Sequence, residues 1–143
     1  MATHIQMLGM GMKAPTDFEL LNYIYERYYS TFSSYTKEEA DRDSKIYVPI
    51  DCAEVARHFG VDKDIVFGRL YYHLEKKYGY KQSDGVNVPF FALRVGGDIK
   101  CINFPLLASV VAGLRQEYRK FWLATGISIG ALVISAVSLG LSL

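Results

Sequence analysis

Cysteine, histidine and tryptophan are scarce in this 143-residue chain: two, three and one of each. Cys52 and Cys101 are too few for a disulfide framework, and in a cytoplasmic setting they are expected to be reduced and buried. His4, His58 and His73 stand at no metal-ligand spacing, so the sequence spells out neither a zinc cluster nor a Cys–His nucleophile. The phosphate-cradling Walker loop, the dinucleotide-binding glycine pattern and the serine nucleophile elbow are also missing. No catalytic residue, metal or cofactor is therefore assigned, no small-molecule substrate is evident, and the chain is not expected to be an enzyme. Charge of one sign is lacking too. Sixteen basic against fifteen acidic residues leave a net charge of +1, far from a strongly basic nucleic-acid footprint.

The sharpest absence lies at the C-terminal end. Residues 121–143, FWLATGISIGALVISAVSLGLSL, contain no charged side chain. At about 1.5 Å per residue a helix of this length is roughly 35 Å long, against about 30 Å for a bilayer's hydrocarbon core. A soluble chain this short cannot bury a helix that is apolar all round. A single C-terminal transmembrane helix is expected, with the lipid bilayer as a partner. Arg115, Arg119 and Lys120 precede it, and Phe121 and Trp122 mark the interface. Positive flanks stay in the cytoplasm, so the expected topology is a single-pass, tail-anchored protein with its N-terminal domain cytoplasmic. Gly126 and Gly130 form a G-x-x-x-G pair, and Ala131 and Ser135 add further small residues. Small residues let helix backbones approach in lipid, so these four are expected to pack on a second copy, giving a homo-oligomer, or on another membrane helix.

Residues 1–15, MATHIQMLGMGMKAP, lack the basic start and apolar run of a signal peptide and read as a loose tail. Thr16 and Glu19 have the spacing of a capping box. Phe18, Leu21, Ile24, Tyr25, Tyr28 and Phe32 follow at helical intervals, predicting a helix to about Ser34. The charged stretch 37–45, KEEADRDSK, reads as a solvated loop. Residues 46–50, IYVPI, predict a short strand with Pro49 at an edge or end. Asp51 then caps a second helix, with Glu54 three residues on.

Residues 52–74, CAEVARHFGVDKDIVFGRLYYHL, have the spacing of a helix-turn-helix. Ala56 is small where a second helix crosses close by. Gly60 suits the left-handed residue that ends the first helix, and Val61 fills the turn. Asp62 caps the next helix, whose buried face is Val66, Leu70 and Leu74. A turn follows at 79–87, centred on Asp84-Gly85. Strands at 90–95 and 99–104 are joined by Gly96-Gly97-Asp98 as a tight hairpin. Pro105 opens a last helix with an apolar stripe of Leu106, Leu107, Val110, Val111, Leu114 and Tyr118. No Gly or Pro linker separates Lys120 from the span.

This order of elements over 17–104, with Ala56, Gly60, Val61, Val66 and Leu70 at their spacing, resembles the winged helix-turn-helix superfamily. The expected fold class is α+β: a winged-helix-like domain at 16–104, an amphipathic connecting helix at 105–120 and a transmembrane helix at 121–143. The loop after the first helix is long for the family, and the wing tip has no basic residue. The resemblance implies that the third helix, about 62–78, enters a major groove while the hairpin touches the backbone or minor groove. Lys63, Arg69, Lys76 and Lys77 would then face nucleic acid, flanked by Arg94 and Lys100. Asp62, Asp64 and Glu75 on the helix and Asp98 at the wing tip oppose them. Phe67 and Tyr71, four residues apart on the outward face, point instead to a protein-binding surface. Two functions stand open: a protein-interaction or assembly module at the cytoplasmic membrane face, and a membrane-tethered DNA-binding regulator. The charge balance favours the first.

Overall fold

A computed structural model describes residues 13–142 as a mixed helix-and-sheet protein. Helix α1 spans Asp17–Ser33. Its start is set by the capping box: Thr16 Oγ1 accepts from the Glu19 amide at 3.1 Å, and the Glu19 carboxylate accepts from the Thr16 amide at 3.2 Å. Its inner face is Leu20, Leu21, Ile24 and Tyr28. Phe18 and Tyr25, expected on that face, are only half-buried, and Leu20 takes up the core position.

The charged loop at 37–45 is not simply solvated. Arg42 is buried, its guanidinium donating to the carbonyls of Thr31 and Lys45 at 3.1 and 3.0 Å. Thr31 belongs to the last turn of α1, whose carbonyls lack helical partners, so Arg42 closes that helix end. A charged loop read by its composition conceals this, because one buried arginine leaves no periodicity.

Strand β1, Tyr47–Pro49, pairs antiparallel with β5, Asp98–Asn103, in the register Val48 to Ile102. Strand β4, Phe91–Val95, pairs with the other side of β5, giving the order β1-β5-β4. Pro49 ends an edge strand, where its missing N–H costs no ladder bond. The β4–β5 turn is Gly96-Gly97, with Gly96 at φ +61°, and Asp98 already pairs with Val95 inside the ladder.

Helix α2 spans Cys52–Phe59, capped by the Asp51 carboxylate on the amides of Ala53 and Glu54. It ends at Gly60 in the left-handed conformation (φ 68°, ψ 30°), and the Val61 amide returns to the Ala56 carbonyl at 3.0 Å. Helix α3 occupies 63–78 in three pieces: α-helical Lys63–Gly68, a wider π-helical segment Arg69–Leu74, and a last α-turn Glu75–Tyr78. Asp62 caps it through the Asp64 amide. Val66, Leu70 and Leu74 are its buried face. The stretch expected as a plain turn holds a second small hairpin, β2 (Tyr80–Lys81) with β3 (Asn87–Val88), closed by Gly85 at φ +88°.

Helix α4 spans Phe104–Ser142. Asn103 caps it, its side-chain oxygen accepting from the Leu106 amide at 3.1 Å. The helix thus begins at Phe104, a residue expected to end a strand. Phe104 is buried and gathers the rings of Phe32 and Tyr25 at 4.8 and 5.6 Å. No break separates the expected connecting helix from the expected span; the chain instead divides into compact units between Val111 and Ala112. The first unit holds the core, where Leu21, Leu70, Phe90, Ile102 and Leu107 are fully buried. In the second unit α4 is long and apolar enough to cross a membrane, and its most apolar stretch is wholly unburied. A soluble protein's core helix would be covered on at least one side.

Candidate functional site

Helix α3 presents two different sides. On one, Asp17 at the start of α1 gathers three side chains from α3. Arg69 donates from Nε at 3.1 Å and also reaches the Pro15 carbonyl at 2.9 Å. Lys77 Nζ lies 3.2 Å and His73 Nε2 3.5 Å from the same carboxylate. Burial raises the Asp17 carboxyl, yet the bonds and charges of Arg69 and Lys77 outweigh it and hold the group below the usual carboxylate range. Arg69 and Lys77 were expected at a nucleic-acid surface. Both are paired with Asp17, a charge in the first turn of a different helix; Arg69 is the more buried partner and ties α3 to α1, while Lys77 stays half exposed.

The opposite side is aromatic. Phe67 and Tyr71 stack at 5.5 Å between ring centroids with 14° between planes, and Tyr72 meets Tyr71 edge-on at 4.8 Å. Phe67 is half-buried, with its edge against Phe91 of β4. Tyr71 is 37% and Tyr72 73% exposed. The expected outward pair is thus anchored at Phe67 and open at Tyr71, and Tyr72 extends it. Tyr72 points away from the buried stripe Val66–Leu70–Leu74, about 200° around the helix from Leu70 at ordinary spacing. Within this segment the Glu75 N–H reaches back to the Leu70 carbonyl, one residue farther than in an α-helix, and Leu70 and Leu74 stay buried. Beyond Tyr71, a shallow hollow is lined by Glu75, Lys76, Tyr80 and Asn87, with Tyr80 half-exposed.

On the other flank of Phe67 lies a cleft of about 760 Å3 between the starts of α2 and α3 and strand β5. Lys63 and Asp64 stand on one wall and Asp51, Cys52 and Lys100 on the other. Tyr28 closes the floor, its hydroxyl accepting from the Asp51 amide at 3.0 Å. Burial pushes the Tyr28 phenol and the Cys52 thiol above their ordinary values, so neither offers an anion there. Glu54 is engaged by Arg27 and Asp51 by backbone amides, which leaves Lys63, Asp64 and Lys100 as the charges facing the opening. Lys100 has the left-handed backbone value φ +54°, unusual for a side chain with a Cβ. Its ammonium lies 5.5 Å from the Phe67 ring centre.

The remaining expected contacts scatter. Arg94 is exposed on β4, across from Ile99. Asp98, expected at the wing tip, is half-buried and accepts from the Asp43 amide at 2.8 Å. Asp43 in turn accepts from the Gly97 amide at 2.6 Å. The long loop therefore clasps the hairpin tip. Only its length hinted at a role, since charged loops are usually solvated.

Along α4, the four small residues do not form one face. At about 3.6 residues per turn, the nine steps from Gly126 to Ser135 amount to roughly two and a half turns. Gly126 and Gly130 share one side; Ala131 and Ser135 lie around the helix from them, in line with Ala124 and Ser128. A side chain added at Gly126 or Gly130 would enter open space. Comparison with protein-family models, with curated proteins and with solved structures finds no match.

Proposed function

We propose that the N-terminal unit is a protein-interaction module, built on a winged-helix plan and held at the cytoplasmic face of a membrane by α4. The observation that carries this reading is the contiguous ring surface Phe67–Tyr71–Tyr72 on the outer side of α3, with Tyr71 and Tyr72 open to solvent. Aromatic side chains with little conformational entropy to lose are the usual anchors of protein interfaces. The sheet order β1-β5-β4 and the left-handed Gly60 between α2 and α3 support the winged-helix plan. Arg115, Arg119 and Lys120 ahead of the apolar stretch support a cytoplasmic domain. Two of the six basic residues expected at nucleic acid, Arg69 and Lys77, are paired with Asp17.

Position 72 gives the test. With a photo-crosslinking amino acid in place of Tyr72 in the full chain, a single protein product is expected in native membranes. That product, once purified, should bind the full chain in detergent, and Tyr71→Ala with Tyr72→Ala should weaken the affinity roughly thirtyfold while the variant still unfolds cooperatively. An identical product from position 38, on the loop, would refute the reading. So would unchanged affinity, or salt-dependent duplex binding lost in Lys63→Glu.

A further inference from the structure

Helix α4 has a second feature that protein docking on α3 does not use. Arg115 and Arg119 are four residues apart, as are Tyr118 and Trp122, so all four lie on one side of the helix. Tyr118 and Trp122 meet edge-to-face at 6.0 Å. Together with Arg119 and Leu123 they form an open, mostly apolar patch on the helix surface. One turn further on, Gly126 and then Gly130 continue the same side as bare backbone, with open space where a side chain would stand. From the N-terminal side onward, the face runs cationic, then aromatic and amphipathic, then smooth and apolar.

That sequence of chemistries matches one occupant. An anionic phospholipid has a phosphate, a glycerol–ester region and an acyl chain in this order and over these depths. Arginine forms forked, charge-assisted bonds to phosphate. Tyrosine and tryptophan favour the ester level, where one edge is wet and the ring is apolar. A glycine pair leaves a groove in which a chain can lie against the helix. A second copy suits this side less well in a parallel pair, because it would set Arg115 and Arg119 against their own counterparts, and like charges brought together repel. We infer that the face formed by Arg115, Tyr118, Arg119, Trp122, Gly126 and Gly130 is a binding site for an anionic phospholipid. The inference rests on the reading of α4 as a membrane span.

Trp122 is the chain's one tryptophan, so its fluorescence reports this face alone. The full chain is reconstituted in phosphatidylcholine vesicles containing phosphatidylglycerol, with a minor fraction of one or the other lipid brominated on its acyl chains. Brominated phosphatidylglycerol is expected to quench Trp122 more strongly than the same mole fraction of brominated phosphatidylcholine. Arg119→Gln should reduce that preference roughly fivefold. Equal quenching by the two lipids overturns the site while leaving the span intact. Quenching by neither, in wild type and variants alike, overturns the span and the site with it. Weak quenching by both that rises together in Gly126→Leu with Gly130→Leu assigns the face to a second copy and also overturns the site.

Discussion

Replacing Asp17 with asparagine keeps the shape of the side chain and removes the charge on which α3 is held. The wild-type carboxylate is 18% exposed and lies within 3.5 Å of Arg69, His73 and Lys77. It also stands in the first turn of α1, where a negative charge favours the helix dipole by about 0.3–1 kcal/mol. Charge-assisted bonds of this kind are worth about 1.5–3 kcal/mol when partly shielded, whereas Lys77, half exposed, adds little. Asp17→Asn is therefore expected to cost about 2–3 kcal/mol at pH 7, with the Pro15 carbonyl still holding one arm of Arg69. The pH dependence supplies the sign. The folded pKa of Asp17 is depressed, so its contribution is complete above the unfolded value of about 3.9 and disappears as pH falls through the lower folded value. Wild type and variant should converge at low pH. Chemical denaturation of the full chain in detergent, followed by circular dichroism from pH 7 downward, measures this. A difference below about 0.5 kcal/mol at pH 7 would place Asp17 among ordinary surface ion pairs and refute the clamp; a gap that persists unchanged at acid pH would refute it too, because the cost would then not come from the charge.

Gly60→Ala should cost about 1 kcal/mol in the same assay, since its φ of 68° penalises a Cβ, and Gly60→Asn should cost less. Gly79→Ala should be worse, about 1–3 kcal/mol, because the new Cβ would lie 2.5 Å from the Glu75 carboxylate and 2.7 Å from its carbonyl. That carboxylate accepts from the Phe91 amide at 2.6 Å, so hydrogen exchange at Phe91 should accelerate. Cys101 is fully buried, and burial, with Asp98 adding, pushes its thiol up to about 11. Maleimide labelling of the folded chain at pH 8 should therefore spare it, and stability should fall as pH climbs from about 8.5, where the unfolded thiol ionises, towards the folded value.

Local rules made much of the fold legible. The capping box at Thr16, the left-handed Gly60 and the Val66–Leu70–Leu74 stripe are each set by a few neighbouring residues, and each stands where the sequence predicts it. What escaped is non-local. Asp17 and Arg69 are distant in the chain, and nothing in the spacing of α3 distinguishes an arginine that faces solvent from one claimed by another helix. The same holds for Asp43 and Gly97. The π-helical turn escaped for a different reason, since a stripe at four-residue spacing looks the same whether the helix is tight or wide. In α4 the small residues could be counted, but their side of the helix follows only from the angle between them.

The clasp between the long loop and the hairpin bears on how fast a partner could be recognised. Asp43 ties the turn twice, its amide donating to the Asp98 carboxylate and its own carboxylate accepting from the Gly97 amide, at a turn with two glycines. A hairpin tied down in this way has little conformational freedom left to surrender at encounter. Association would then proceed as a collision of ready-made shapes, and a variant with the tie cut, such as Asp43→Ala, would bind through a slower ordering step.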